Sequence, residues 1–373
     1  MIPLAEPQLG AAERERVAAV IEDGHLADGP EVRAFEESFA DVCGADHAVA
    51  TSNGTTALHA ALRALGIGEG DRVLTTPFSF VATANAARHC GADVGFVDID
   101  PETYALDPER LATRLDAGES VDAVIAVHLY GLPADLDALT ALADDHDFAL
   151  VEDACQAHGA TYRGEHVGTV GDVGCFSFYP TKNVTAGEGG LVVSDDAAVA
   201  ERAAAFVDHG EREDGAHATL GHNFRMTSIA AAIGREQVSR LPAFTDARRR
   251  HADHLTDTLD DLALTTPNAP DGRRHVYHQY TVRHPDRDGL RAHLADAGVE
   301  TGVYYGTPIH EEPAYADVDA DCPVAERLAD EVLSLPVHPG LTREDLDHIV
   351  STVRDYVGPA DGRRVADPRG GRS

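Results

Sequence analysis

Between Arg72 and Asp153 the chain alternates short apolar, β-branched runs with longer stretches patterned for helix, and this alternation limits the fold more than any other feature. Val73-Leu74-Thr75, Val94-Gly95-Phe96-Val97, Ala123-Val124-Ile125-Ala126-Val127 and Phe148-Ala149-Leu150-Val151 read as strands, with helices from Phe80, Pro108 and Leu136 between them. Strands separated by helices assemble into a mainly parallel sheet sandwiched by helices, an α/β three-layer arrangement. Such sheets bind ligands beyond the carboxyl ends of their strands. Glu152-Asp153 fall at one such end. A further strand, Gly174-Cys175-Phe176-Ser177-Phe178, delivers Pro180-Thr181-Lys182 into a loop, and Gly187, Gly189 and Gly190 let the chain turn back.

Of the 30 lysine and arginine residues, 29 are arginine and one is Lys182. Arginine serves a surface as well as lysine does, but it cannot shed its proton to become an amine nucleophile. A lone lysine in a loop that faces a strand-end carboxylate therefore points to chemistry. Pyridoxal phosphate needs such a pair: an amine to condense with its aldehyde and an acid to keep its ring nitrogen protonated. Upstream, the strand Ala48-Val49-Ala50-Thr51 runs through Ser52-Asn53-Gly54-Thr55-Thr56 into a helix bearing Leu58, Ala61, Leu62 and Leu65. Free N–H groups at that helix start suit a phosphate, and they equally suit an ordinary N-cap. Phe80 is open to two readings as well, a core residue or the face on which a cofactor ring lies.

The ordered set of motifs resembles the DegT/DnrJ/EryC1/StrS group of sugar aminotransferases. It comprises Ser52 to Leu58, Gly66-Ile67-Gly68-Glu69-Gly70-Asp71, Glu152 to Ala160, Ser177-Phe178-Tyr179-Pro180-Thr181-Lys182-Asn183, Gly187-Glu188-Gly189-Gly190 and Gly221-His222-Asn223-Phe224-Arg225-Met226. The resemblance implies the type I fold of pyridoxal phosphate-dependent transferases and transamination of a nucleotide-linked keto-sugar with glutamate as donor. By position it implies Lys182 as the catalytic amine, Asp153 at the ring nitrogen, Gln156 at the ring hydroxyl and Phe80 on the ring face. It assigns Gly54, Thr55, Thr56, Ser177 and Asn223 to the cofactor phosphate, and Tyr305 and His310 to the sugar. Gly306 departs from the proline usual in that last segment. The segment around Asn223 implies a homodimer with shared active sites. Two alternatives stay open, a sugar dehydratase, which in this group replaces the lysine by histidine, and a non-catalytic regulatory or binding protein that retains the fold.

The rest of the chain bounds these readings. With 373 residues and 43% hydrophobic content it can bury a large core, and a large domain over 1–242 with a smaller α/β domain over 243–358 is expected. The boundary is placed where Pro242 should interrupt the helical region Ser228–Leu259. Helices are expected over 287–297, 324–333 and 343–356, a strand over Val276–Val282, and a disordered tail over 359–373. Near the amino terminus, Val17, Val20 and Ile21 form one core stripe and Val32, Phe35 and Phe39 another. The small apolar run Ile229-Ala230-Ala231-Ala232-Ile233 suits either a subunit interface or a core helix.

No apolar run is long enough to cross a bilayer and no signal peptide is evident, so a cytoplasmic protein is expected. Five scattered cysteines argue for neither disulfides nor zinc, and the 20 histidines show no metal-binding spacing. Gly66, Gly68 and Gly70 precede a strand instead of following one, so they form no dinucleotide fingerprint. The net charge of -34 opposes binding to nucleic acid or an anionic membrane. Acidity with almost no lysine resembles the proteins of salt-loving organisms.

Overall fold

The computed structural model describes residues 1–212 and 214–360. Two helices open the chain, α1 (Ala11–Asp23) and α2 (Pro30–Cys43). Pro30 presets the first-turn geometry of α2, and Gly44 ends it in the left-handed region at φ 77°. Val32, Phe35 and Phe39 are buried as their spacing predicts. The α1 stripe is used only in part, for Val20 is buried but Ile21 is exposed.

The expected alternation then appears: β1 (His47–Thr51), α3 (Gly54–Ala64), β2 (Arg72–Thr75), α4 (Ala82–Cys90), β3 (Asp93–Phe96), α5 (Pro108–Asp116), β4 (Ala123–Val127), α6 (Leu136–His146) and β5 (Ala149–Asp153). A short antiparallel pair, β6 (Thr161–Tyr162) and β7 (Glu165–His166), precedes β8 (Val173–Ser177) and β9 (Gly190–Ser194). The seven-stranded sheet has the order β1-β9-β8-β5-β4-β2-β3. Only β9 runs against the others, pairing antiparallel with β1 and β8. Every residue of β4, β8 and β9 is buried, as a sheet covered on both faces requires. The register sets Asp153 opposite both Val127 and Cys175, so the carboxyl ends of β4, β5 and β8 share one edge.

After α7 (Ala197–Val207) comes α8 (Ser228–Leu259), which departs from expectation by running through Pro242 without a break. Proline removes one helical hydrogen bond and crowds the preceding turn, at a cost of about 3 kcal/mol. Packing on both sides of Pro242 offsets that cost: Val238, Leu241 and Phe244 are buried in the main core, and Ala252, Leu255 and Leu259 in a second, carboxyl-terminal core. One helix thus passes from one core to the other. Part of the small run at its start packs within the chain: Ala231 and Ala232 are buried and Gly234 lies against the Phe35 ring, while Ile229, Ala230 and Ile233 are half-buried.

The carboxyl-terminal unit contains β10 (Arg273–Arg274), which joins β6, and β11 (Tyr280–Arg283), α9 (Arg287–Asp296), α10 (Pro323–Glu331), β12 (Val332–Leu335) and α11 (Arg343–Tyr356). β11 pairs antiparallel with β12. The strand expected over Val276–Val282 begins only at Tyr280. Before it, the Val276 carbonyl accepts from the Asn183 side chain at 3.2 Å, and those of Tyr277 and His278 accept from Arg248 at 3.1 and 3.3 Å. Side-chain donors take the place of a partner strand. The helix expected to Leu333 stops at Glu331, because Val332–Leu335 is claimed by pairing with β11. Residues 361–373 of the expected tail lie outside the described residues. Pro359 and Ala360 are still held, by a bridge to Leu262 and a 3.0 Å hydrogen bond to the Asp261 carbonyl.

Candidate active site

The shared strand edge brings two carboxylates to β5, and their surroundings separate their roles. Glu152 is fully buried and accepts hydrogen bonds from His128 at 2.9 Å and from the backbone N–H groups of Gly168, Val170 and Gly171 at 2.7 to 2.8 Å. Burial acts to raise its pKa, but these donors outweigh it and hold the carboxyl below its ordinary value. All its acceptor capacity is spent on the fold. Asp153, one residue on, is buried facing the other way. Its Oδ2 accepts from the Thr83 hydroxyl at 2.7 Å and its Oδ1 from the Cys155 N–H at 3.2 Å, while Thr83 in turn meets Ser79 at 3.0 Å.

Lys182 sits in the turn after β8, its N–H donating to the Tyr179 carbonyl at 2.9 Å. It is half-buried. Desolvation lowers its ammonium pKa below the ordinary lysine value, while the neighbouring Cys155 thiol and Asp153 carboxylate act in the opposite sense. The amine and the acid therefore occupy one site, as the sequence predicts. Cys155 is its half-buried companion, its thiol pushed well up by desolvation and by Asp153.

At the start of α3, Asn53 Oδ1 accepts from the Thr56 N–H at 3.0 Å, and the Thr56 hydroxyl returns to the backbone of Asn53. That reciprocal cap occupies the Thr56 hydroxyl. It leaves the N–H groups of Gly54 and Thr55 and the Thr55 hydroxyl with no partner among the described residues, a ready anion site at the positive end of the helix. Gly54 is required here, for a Cβ would stand 2.8 Å from Ser177 Cβ and 3.0 Å from Cys155 Sγ. The start of β9 presses equally close: a Cβ on Gly190 would lie 2.2 Å from the Asn53 carbonyl oxygen.

Gln156 is buried, accepts from the Tyr130 N–H at 2.9 Å and donates to the Tyr305 hydroxyl at 3.2 Å. The Phe80 ring is 56% exposed with its centroid 6.3 Å from that of Tyr305, so it is a wall of the site and not a core residue. Of the two residues expected near the sugar, Tyr305 joins this group. His310 instead pairs with Glu326 at 3.2 Å beside the Phe96 ring, at the β3 edge of the sheet. There His310, Glu311 and Glu326 have potential ligand atoms within 4.8 Å of one another. Asn223 is exposed, and its backbone bridges Asp208; no described side-chain hydrogen bond links it to Thr55 or Ser177 of its own chain.

Thr83, Tyr130 and Cys155 were missed by the sequence reading. None of the three left a local signal of its place in the site. The lone amine, the carboxylate, the open helix start with its glycine contact and the exposed aromatic wall together fit pyridoxal phosphate.

The sequence and the fold were compared with known proteins. Residues 7–354 match the DegT/DnrJ/EryC1/StrS aminotransferase family. The chain is 39% identical over 340 residues to the UDP-N-acetyl-3-dehydro-alpha-D-glucosamine 3-aminotransferase of Acidithiobacillus ferrooxidans, covering 91% of this chain and 92% of the relative. It is 40% identical over 335 residues to a pleiotropic regulatory protein of Geobacillus stearothermophilus, covering 88% and 90%. Its fold superposes on S. venezuelae DesV, solved in complex with a ketimine intermediate, with a TM-score of 0.88 at 38% identity, covering 92% and 94%. A family match spanning both cores, together with a strand edge that unites the lone lysine and a buried aspartate, identifies the chain as a member of the DegT/DnrJ/EryC1/StrS aminotransferase family.

Proposed function

We propose that this aminotransferase uses pyridoxal phosphate to convert a nucleotide-linked keto-sugar into an amino sugar, with glutamate as donor, as a cytoplasmic homodimer. The observation that carries the reading is the setting of the only lysine beside Asp153 at the carboxyl edge of the sheet. The names of similar proteins support the substrate class. When bound, pyridoxal phosphate supplies an electron sink for the substrate carbon.

The residues have distinct tasks. Asp153, steadied by the Thr83 hydroxyl, offers a fixed carboxylate to the ring nitrogen. The N–H groups of Gly54 and Thr55 and the hydroxyls of Thr55 and Ser177 would hold the phosphate, and Asn223 would join them from the second subunit. Gln156 would meet the ring hydroxyl, Phe80 would cover one ring face, and Tyr305 would line the approach of the sugar. Lys182 takes and returns a proton at Nζ, a task for which a lowered pKa provides more free amine near neutral pH.

The test is optical and then chemical. Purified protein supplied with pyridoxal phosphate should absorb in the visible, borohydride should bleach it, and mass mapping should find the reduced cofactor on Lys182. Lys182→Arg should abolish turnover of a keto-sugar panel with glutamate while leaving the fold intact. A protein that takes up no cofactor would favour the regulatory reading.

A further inference from the structure

Arg248, on α8, is the only buried arginine among the described residues, at 5% exposure. Its Nη1 donates to the carbonyls of Tyr277 and His278 at 3.1 and 3.3 Å, and its Nε is buried without a hydrogen-bond partner. It forms no ion pair among the described residues. Burial alone lowers its pKa, to about 10, so the guanidinium stays charged at neutral pH. Carbonyl dipoles solvate such a charge but do not cancel it. An uncompensated buried charge is costly, and buried charges in folded proteins are therefore paired. A side chain that breaks this rule calls for an occupant beside it, a water or an ion.

The surroundings favour an ion. Arg248 and Lys182 line one narrow cleft, with a free volume of about 10 Å³, room for a single water-sized particle. Three side-chain donors in its wall are engaged within the fold: Asn183 with the Val276 carbonyl, Thr185 with the Phe178 carbonyl, and Gln237 with the Gln8 carbonyl and the Glu13 carboxylate. The Arg248 Nε, the Thr181 hydroxyl and the Lys182 amine have no described partner. Glu6 is the only carboxylate in the wall, and it faces other groups: it accepts from the Gln8 side chain at 3.1 Å and stands 4.0 Å from His338. We propose that this cleft is a binding site for one small inorganic anion of halide size, held by the Arg248 guanidinium with Thr181 and Lys182 beside it. A single-atom anion matches the space; a carboxylate on a carbon skeleton exceeds it. The site stands on the burial and setting of Arg248 and does not rest on the transamination reading. Its occupant would favour the ammonium form of Lys182, which lines the same cleft.

The rival occupant is a water molecule, which could donate to the unpaired Asn183 Oδ1. Crystals of the wild-type protein grown with sodium bromide distinguish the two by anomalous scattering. A bromide peak within hydrogen-bond reach of the Arg248 guanidinium is expected; a water there, or no peak, overturns the proposal. A solution test holds the ionic strength fixed at about 0.5 M, so that general screening is constant, and replaces sodium gluconate by sodium chloride. The gain in melting temperature on that exchange should be about 2–4 °C larger for the wild type than for Arg248→Met, and Arg248→Lys, which keeps the charge, should retain part of it. Sodium acetate in place of chloride should give no such Arg248-dependent gain. Equal responses in the wild type and Arg248→Met would overturn the proposal, as would a gain with acetate and none with chloride. Where the Arg248 variants fail to fold, the bromide crystals decide.

Discussion

At the scale of single residues, the site depends on how one carboxylate is held. Asp153 and Glu152 are adjacent in sequence, yet alternation along β5 turns them to opposite faces, one toward Thr83 and the other into a ring of backbone donors. The Thr83 hydroxyl donates to Asp153 at 2.7 Å, and a hydrogen bond to a charged group is worth about 1.5–3 kcal/mol. Thr83→Val should therefore lower kcat about 10-fold or more and weaken cofactor retention, with circular dichroism unchanged. Steady-state kinetics and cofactor titration measure both, and a variant with wild-type values would remove Thr83 from the site. The amine was legible from a count of lysines and the acid from the end of an apolar run. The hydroxyl was not, because its function arises from a contact across 70 residues.

At the scale of elements, α2 carries a buried acid that couples stability to pH. Burial raises the Glu36 carboxyl pKa to about 7, although Arg33 at 2.8 Å and the Ala50 N–H at 2.7 Å act to lower it. Folding therefore takes up a proton between the unfolded value of 4.5 and the folded value of about 7. In that window the native state binds more protons than the unfolded chain, so this group's contribution is present below pH 4.5 and is lost as pH rises through 7. Glu36→Gln keeps an acceptor for Ala50 and removes the titration. Relative to the variant, the wild type should lose up to about 1.4 kcal/mol per pH unit across the window. Chemical denaturation at several pH values reads this difference, and parallel curves would refute it. The alternation from β2 to β5 was legible because parallel strands are apolar throughout. The unbroken α8 and the strand β12 were not, because packing on two cores and pairing with β11 overrode the local signals.

At the scale of the molecule, charge and assembly govern behaviour. A net charge of -34 repels itself, and raising salt from 0.1 M to 1 M shortens the screening length from about 10 Å to about 3 Å. The melting temperature should rise across that range, and a flat profile would show that the acidic surface is not a source of strain. The homodimer reading has a sharper test. Mixed dimers of Lys182→Arg with Asn223→Ala should recover up to about a quarter of wild-type activity, since random mixing leaves half the dimers with one intact site of two. Parents that dimerise but give no active mixture would place all of the site within one chain. Ala231 and Gly234 of α8 are covered within the chain, while Ile229, Ala230 and Ile233 of the same run are only half-buried.

The sequence by itself determined the alternating α/β architecture and marked out a lone lysine, a strand-end carboxylate and a strand-to-helix turn. Each of these is written locally, in residue type, spacing or position at a strand end. Only the tertiary structure decided which carboxylate of the pair meets Thr83 and that Tyr305 joins Gln156 while His310 pairs with Glu326. Those outcomes depend on contacts between segments far apart in the chain, and side-chain direction is set by register and packing, which no local pattern encodes.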